Sequence, residues 1–421
     1  MTAFALALLL ATGAADRPVW TEADALAAFE RTSPALAEAR AAEEAARADV
    51  SQAKLRPNPT LSLGASNVPL ETNPPPIGNG PGLGNNLVTS IGIEQPIELG
   101  GKRSHRVAVA KGALTGAGLS RADAVRKAKA ELKLAFWGAV RARERRILAE
   151  QVRARSAETL RIMRARYANQ DISALDLDKI ELETAQQENE VADAVANERA
   201  AVADLLRLVG PGAPAQVEVS GELASRAPPL DVDRLAERAR AHRPDLAAAR
   251  RAAETARLSL SLAQSQAVPD VTVGLGYTRS RAVQSGDNPQ TLGVTLSVPI
   301  PLFSRNQGEI QKARVEISRT DDAARALEAG VAREVDAAHA RYAAAAEKVA
   351  RYDGGALARA ERSLAVAEKT YRSGDRSLLE FLEAERTFIA VRADYLDTMY
   401  ELRAARLELE QAVGADLTEG A

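Results

Sequence analysis

No proline occurs between Ile97 and Gly210, and none follows Pro301; all 19 prolines lie in 18–96 and 211–301. Proline removes a backbone donor and clashes with the preceding helical turn, so long helices form where it is absent. Each proline-free span starts where an alternating run ends. Leu87, Thr89, Ile91 and Ile93 fall on one side of a strand, and Gln95-Pro-Ile-Glu-Leu-Gly-Gly-Lys-Arg103 follows. Leu292, Val294, Leu296 and Val298 do the same before Pro299 and Pro301. Pro96, Gly100, Gly101, Pro299 and Pro301 therefore mark two strand-to-helix junctions, and Pro96 is expected to end the pairing at the first.

The chain reads as one plan written twice. Ser33-Pro34-Ala35-Leu36 answers to Arg243-Pro244-Asp245-Leu246, and Pro59-Thr-Leu-Ser-Leu-Gly64 to Pro269-Asp-Val-Thr-Val-Gly274, both at a shift of 210. Gln95–Leu99 answers to Val298–Leu302 at 203, and Arg166–Asp176 to Thr370–Glu380 at 204. This period is too long for a solenoid. Repeat 1 spans 16–210, with strands at about 59–68 and 87–98, a long helix at about 101–168 and a return helix at about 172–209. Repeat 2 spans 211–421, with strands at about 269–279 and 290–300 and helices at about 304–372 and 376–413. Each repeat opens on two shorter helices, the first capped by Thr21 with Asp24 three residues on. The stripes Leu132, Ala135, Phe136, Ala139, Val140 and Val331, Val335, Ala338, His339, Tyr342 follow helical spacing. Asp353-Gly354-Gly355 interrupts the second long helix and is where it would bend. The linker from Gly210 to Pro229 has room for short strands.

Phe4–Leu10 followed by Ala-Thr-Gly-Ala-Ala15 looks like the apolar core and cleavage region of a secretory signal, without the usual positive start. No later stretch reaches the roughly 18 apolar residues of a membrane helix. The strands, of about ten residues with one apolar face, match those of outer-membrane barrels. Four strands cannot close, and open edges are costly in lipid. Three copies would supply twelve strands and twelve long helices, a β-barrel continuous with an α-barrel. The competing reading is a coiled-coil interaction protein carrying two incidental hairpins.

Other chemistries are poorly served. These 421 residues hold no cysteine, so disulfides and thiolate metal sites are excluded among them and a lipidated N-terminal cysteine is not expected. A net charge of −2 from 55 basic and 57 acidic residues gives no footprint for nucleic acid. His105, His242 and His339 are isolated, and no metal cluster, cofactor motif or nucleophile–base arrangement is apparent. Gly78–Gly84 lacks the Lys-Ser/Thr of a phosphate loop.

Over about 20–414 the chain resembles the TolC-like outer-membrane factors of tripartite efflux systems. Gln95–Arg103 and Val298–Asn306 are similar to the heavy-metal, Czc/Cus-type branch. The resemblance implies a homotrimer in the outer membrane of a Gram-negative bacterium, with the helical part in the periplasm. It further implies a periplasmic adaptor and an inner-membrane RND pump as partners. The cargo would be Co/Zn/Cd or Cu/Ag cations; drugs or a secreted polypeptide are the alternative. The family's periplasmic gate falls on Tyr371, Arg376, Glu380 and Glu383, with Asp176 in repeat 1. Arg376, Glu380 and Glu383 share a helix face, and Arg376 would bridge to Asp176. Ordinary i, i+4 pairing is the competing reading for these charges.

Overall fold

The structure, a computed structural model, describes residues 18–68, 87–223, 228–281, 288–373 and 375–417. The signal-like segment 1–15 and the Gly/Pro-rich loop 73–84 lie outside them. In order the elements are β1 (Val19–Trp20), α1 (Glu22–Thr32), α2 (Pro34–Ala53), β2 (Thr60–Ser66), β3 (Val88–Ile97), α3 (Lys102–Ala168) and α4 (Ala174–Val209). The second series is β4 (Glu218–Val219), α5 (Val232–His242), α6 (Pro244–Ser265), β5 (Val271–Ser280), β6 (Gln290–Ser297), α7 (Gln307–Arg351), α8 (Leu357–Arg372) and α9 (Leu378–Val413).

Contacts divide the chain into two units. One comprises Met1–Arg40, Arg121–Pro244 and Glu328–Ala421; the other comprises Ala41–Ser120 and Asp245–Leu327. In the first, Leu132, Phe136, Ala139 and Val140 of α3 are buried with Phe29, Leu205 and Val209, as their helical spacing requires. Thr21 caps α1 reciprocally: its hydroxyl accepts from the Asp24 N–H, and the Asp24 carboxylate accepts from the Thr21 N–H at 2.9 Å. The linker contributes β4, which pairs in parallel with β1.

The second unit holds a four-stranded antiparallel sheet in the order β2-β3-β5-β6. Two details differ from the sequence reading. Pro96 does not end pairing: β3 continues to Ile97, which faces Val271. The β2 ladder stops opposite Glu94, so Pro96 has a strand on one side only, where a missing N–H is tolerated. Conversely, β6 stops at Ser297 rather than near 300, because Pro299 and Pro301 cannot donate to a ladder.

The second long helix is also not single. It starts at Gln307 and breaks at a five-residue π segment, Tyr352–Ala356, in which Gly355 has φ 109°. An L side chain is strained there, and Asp353-Gly-Gly supplies the residue that is not. Hydroxyls of Tyr352 and Tyr395 donate to Asp394 and Asp353 at 2.7 and 2.9 Å, a crossed pair that ties the break to α9.

Candidate functional site

The sheet is two-faced. Directly paired residues in an antiparallel ladder share a face. Leu63, Ile91, Tyr277 and Leu292 form one row, and Leu61, Ile93, Leu275 and Val294 the next. These side chains are exposed, Leu63 at 74% and Val294 at 76%. The opposite face is small and polar: Ser62, Gly92, Gly276 and Gly293 make a row, as do Gly64, Ser90, Thr278 and Thr291. Apolar surface that water would reject lies on one side and hydroxyls and bare backbone on the other. Such a sheet suits lipid on one face and water on the other. Among the described residues, β2 and β6 each pair on one side only.

At the first junction the chain turns through Gly100 and Gly101, with φ 68° and 72°. A Cβ on Gly100 would stand 2.9 Å from Val268 Cβ. The turn is then tied down. Asp270 accepts from the Leu99 N–H at 3.0 Å and from Lys102 Nζ at 2.7 Å. Arg106 holds Glu98 with two bonds of 2.6 and 3.2 Å and donates to Ala53 O at 3.1 Å. At the second junction Pro299 and Pro301 lie beyond β6, and Asn306 takes the left-handed conformation at φ 58°. Its Nδ2 donates to Ala263 O at 2.8 Å. Phe303 is 90% exposed.

In the other unit, the turns after α3 and α8 and the helix ends that flank them carry the candidate gate residues. Tyr371 is half-buried, stacked on Phe381 at 5.5 Å, and its hydroxyl lies 2.8 Å from Met163 Sδ. Burial raises its pKa above the ordinary phenol value. Arg376 does not bridge to Asp176 within the chain. It reaches Glu380 at 3.4 Å, one helical turn on, and both are exposed. Asp176 is occupied in the first turn of α4, where it accepts from the Ser173 hydroxyl at 2.8 Å and its N–H donates back at 3.2 Å. Glu383 is exposed.

A titratable group that the motif pattern passed over lies nearby. Glu385 is buried on α9 and makes no hydrogen bond or ion pair among the described residues. Burial, then the adjacent charge of Glu183 on α4, pushes its carboxyl up to about 7. Glu183 is itself buried and is neutralised by Arg386. Among the described residues, no group of three or more His, Cys, Asp or Glu could hold a metal ion, and no helix is long and apolar enough to cross a membrane.

The outer membrane efflux protein family model matches residues 27–211 and 235–415, nearly the whole of both repeats. The chain belongs to the outer membrane efflux protein family. It is a channel component of the outer membrane rather than an enzyme, with its helical part in the periplasm. It is 27% identical over 319 residues to the cobalt-zinc-cadmium resistance protein CzcC of Cupriavidus metallidurans, covering 76% of this chain and 75% of that one. Solved structures share the efflux-protein fold. CusC superposes with a TM-score of 0.76 at 16% identity, covering 94% of this chain and 92% of that one. VceC of Vibrio cholerae gives 0.73 at 20% identity, covering 94% and 96%.

Proposed function

We propose that three copies of the chain close a twelve-strand β-barrel continuous with a twelve-helix α-barrel, and that the assembly is a passive exit duct for heavy-metal cations. The two-faced sheet with an open edge at β2 and another at β6 carries this reading. Joining β6 of one copy to β2 of the next removes every edge, and the apolar rows then form one lipid-facing band. The cation cargo is supported by the likeness to CzcC. Cargo would arrive from an inner-membrane RND pump through a periplasmic adaptor. Segment 1–15 would direct export, and 16–210 and 211–421 would be the two repeats.

In this reading the turns after α3 and α8 form the periplasmic gate. Tyr371 braces it from within the packed tip, while Arg376, Glu380 and Glu383 present charge at the entrance. With Glu380 as its partner inside the chain, Arg376 has Asp176 of a neighbouring copy as its inter-protomer counterpart. Replacing Arg376 by alanine is expected to leave the trimer intact and raise resting conductance in planar bilayers. A strain lacking the chain should become sensitive to cobalt, zinc, cadmium or copper salts and be rescued by the chain in trans. Sensitivity confined to drugs would replace the metal cargo; no conductance from purified protein would end the duct reading.

A further inference from the structure

The polar face of the sheet is uncharged along its rows of glycine, serine and threonine, except at Glu94. Glu94 on β3 stands between Thr60 and Gly274, with Thr295 beyond. Gly274 makes room for it: a Cβ there would lie 3.2 Å from Glu94 Cγ and 3.8 Å from its Oε1. The carboxylate therefore lies over bare backbone. It is exposed, and it has no ion pair or hydrogen bond among the described residues. Nearby acids are spent differently, Asp270 on Lys102 and Glu98 on Arg106. The one basic residue of the four strands, Arg279, pairs with Thr89 and Gln290 and so belongs to the apolar face.

We propose that Glu94 is the charge-selectivity determinant of the strand-lined part of the channel. The proposal rests on the trimeric reading above, in which the polar face turns inward and the three Glu94 carboxylates form a ring on an otherwise uncharged wall. Twelve strands about 4.8 Å apart and tilted by about 40° give a backbone diameter of about 24 Å. The carboxylates then stand about 15 Å apart and about 9 Å from the axis. That is too wide to strip water from an ion, so the ring would act by its field, favouring cations over anions rather than one metal over another.

The range of the field fixes what an experiment should see. The screening length is about 30 Å at 0.01 M salt, about 10 Å at 0.1 M and about 3 Å at 1 M. Three charges at that radius enrich a monovalent cation on the axis about fivefold at the lowest salt and about two- to threefold at 0.1 M, with almost no effect at 1 M. Divalent cations are enriched by the square of those factors, because the energy doubles with the charge.

The test is the reversal potential of the purified full chain in planar bilayers under a potassium chloride gradient. It should be measured for wild type and in the Arg376→Ala background, whose entrance is expected to stand open. Glu94→Gln should lower the low-salt cation preference to the part that the entrance carboxylates Glu380 and Glu383 leave, Glu94→Lys should lower it further towards anions, and Glu94→Asp should keep it. All differences should vanish at about 1 M salt. Trimer on native gels shows that each variant assembles. Channels whose reversal potential ignores Glu94→Gln in the open background would overturn the proposal alone. Absence of channels from every form would overturn the duct reading, and Glu94's role with it.

Discussion

The two repeats make the same joint from different chemistry. Repeat 1 turns from strand to helix on two glycines, locked by Lys102–Asp270 and Arg106–Glu98. Repeat 2 turns on Asn306 alone and leaves Phe303 in the open. Glycine reaches the left-handed region without penalty, and asparagine is among the few other residues that visit it readily. The long helices diverge in the same sense. α3 runs unbroken over Lys102–Ala168, whereas the second is cut by the π segment and closed against α9 by two tyrosines. The duplication thus conserves the path of the chain while giving repeat 1 the stiffer construction and repeat 2 the more compliant one.

The largest effect is expected at the junctions. Gly100→Ala forces a side chain into φ 68° and against Val268, and should cost about 2–4 kcal/mol in thermal unfolding of the solubilised protein. An effect no larger than that of an exposed alanine substitution would mean that the repeat 1 turn is not locked.

Next is a carboxylate that the repeats treat oppositely. Glu181 is partly exposed and pairs with Arg164 at 2.8 Å; its counterpart Glu385 is buried, beside Glu183. A carboxyl raised from 4.5 to about 7 on folding stabilises most below the lower value. That stability is lost as pH rises through the upper one, because the unfolded chain ionises first. Glu385→Gln should therefore remove a loss of about 2–3 kcal/mol between acid and neutral pH. Melting curves across that interval check it.

A smaller effect is expected at the break in the second helix. Removing the Tyr352 or the Tyr395 hydroxyl should cost about 1 kcal/mol each. Amide exchange should quicken over 357–372 and not over the matching end of α3. Equal quickening in both would show that the break confers no local compliance. Smallest of all, Asn306→Gly should change stability by less than about 0.5 kcal/mol, since the lost bond to Ala263 O is offset by relief at positive φ.

Much of this was legible in the chain. Alternation at Leu87–Ile93 and at Leu292–Val298 placed strands and their apolar faces, because a period of two has one geometric meaning. Proline placement bounded the long helices, and Thr21 with Asp24 declared its cap. What local pattern does not encode is partner choice. Nothing near Asp270 reveals that it serves Lys102, 168 residues away, or that Asp176 closes on Ser173 instead of meeting Arg376 of its own chain. Glu385 lies on an ordinary charged stretch, and only the packing of α9 against its neighbours makes it a buried acid. Glu94 was within reach, since alternation from Ile93 already put it on the polar face; its isolation there needed the pairing register.

The register also sets a timetable. The ladder joining β3 to β5 pairs Ile97 with Val271 and Val88 with Ser280, separations of 174 and 192 residues. A two-stranded hairpin is at best marginally stable in water. At about 5–20 residues per second, β2 and β3 leave the ribosome about 10–40 s before the strand that completes their sheet. For all that time Leu61, Leu63, Ile91 and Ile93 form a ready template for the wrong neighbour. The biogenesis of this protein must therefore keep its first hairpin covered until the second repeat has arrived.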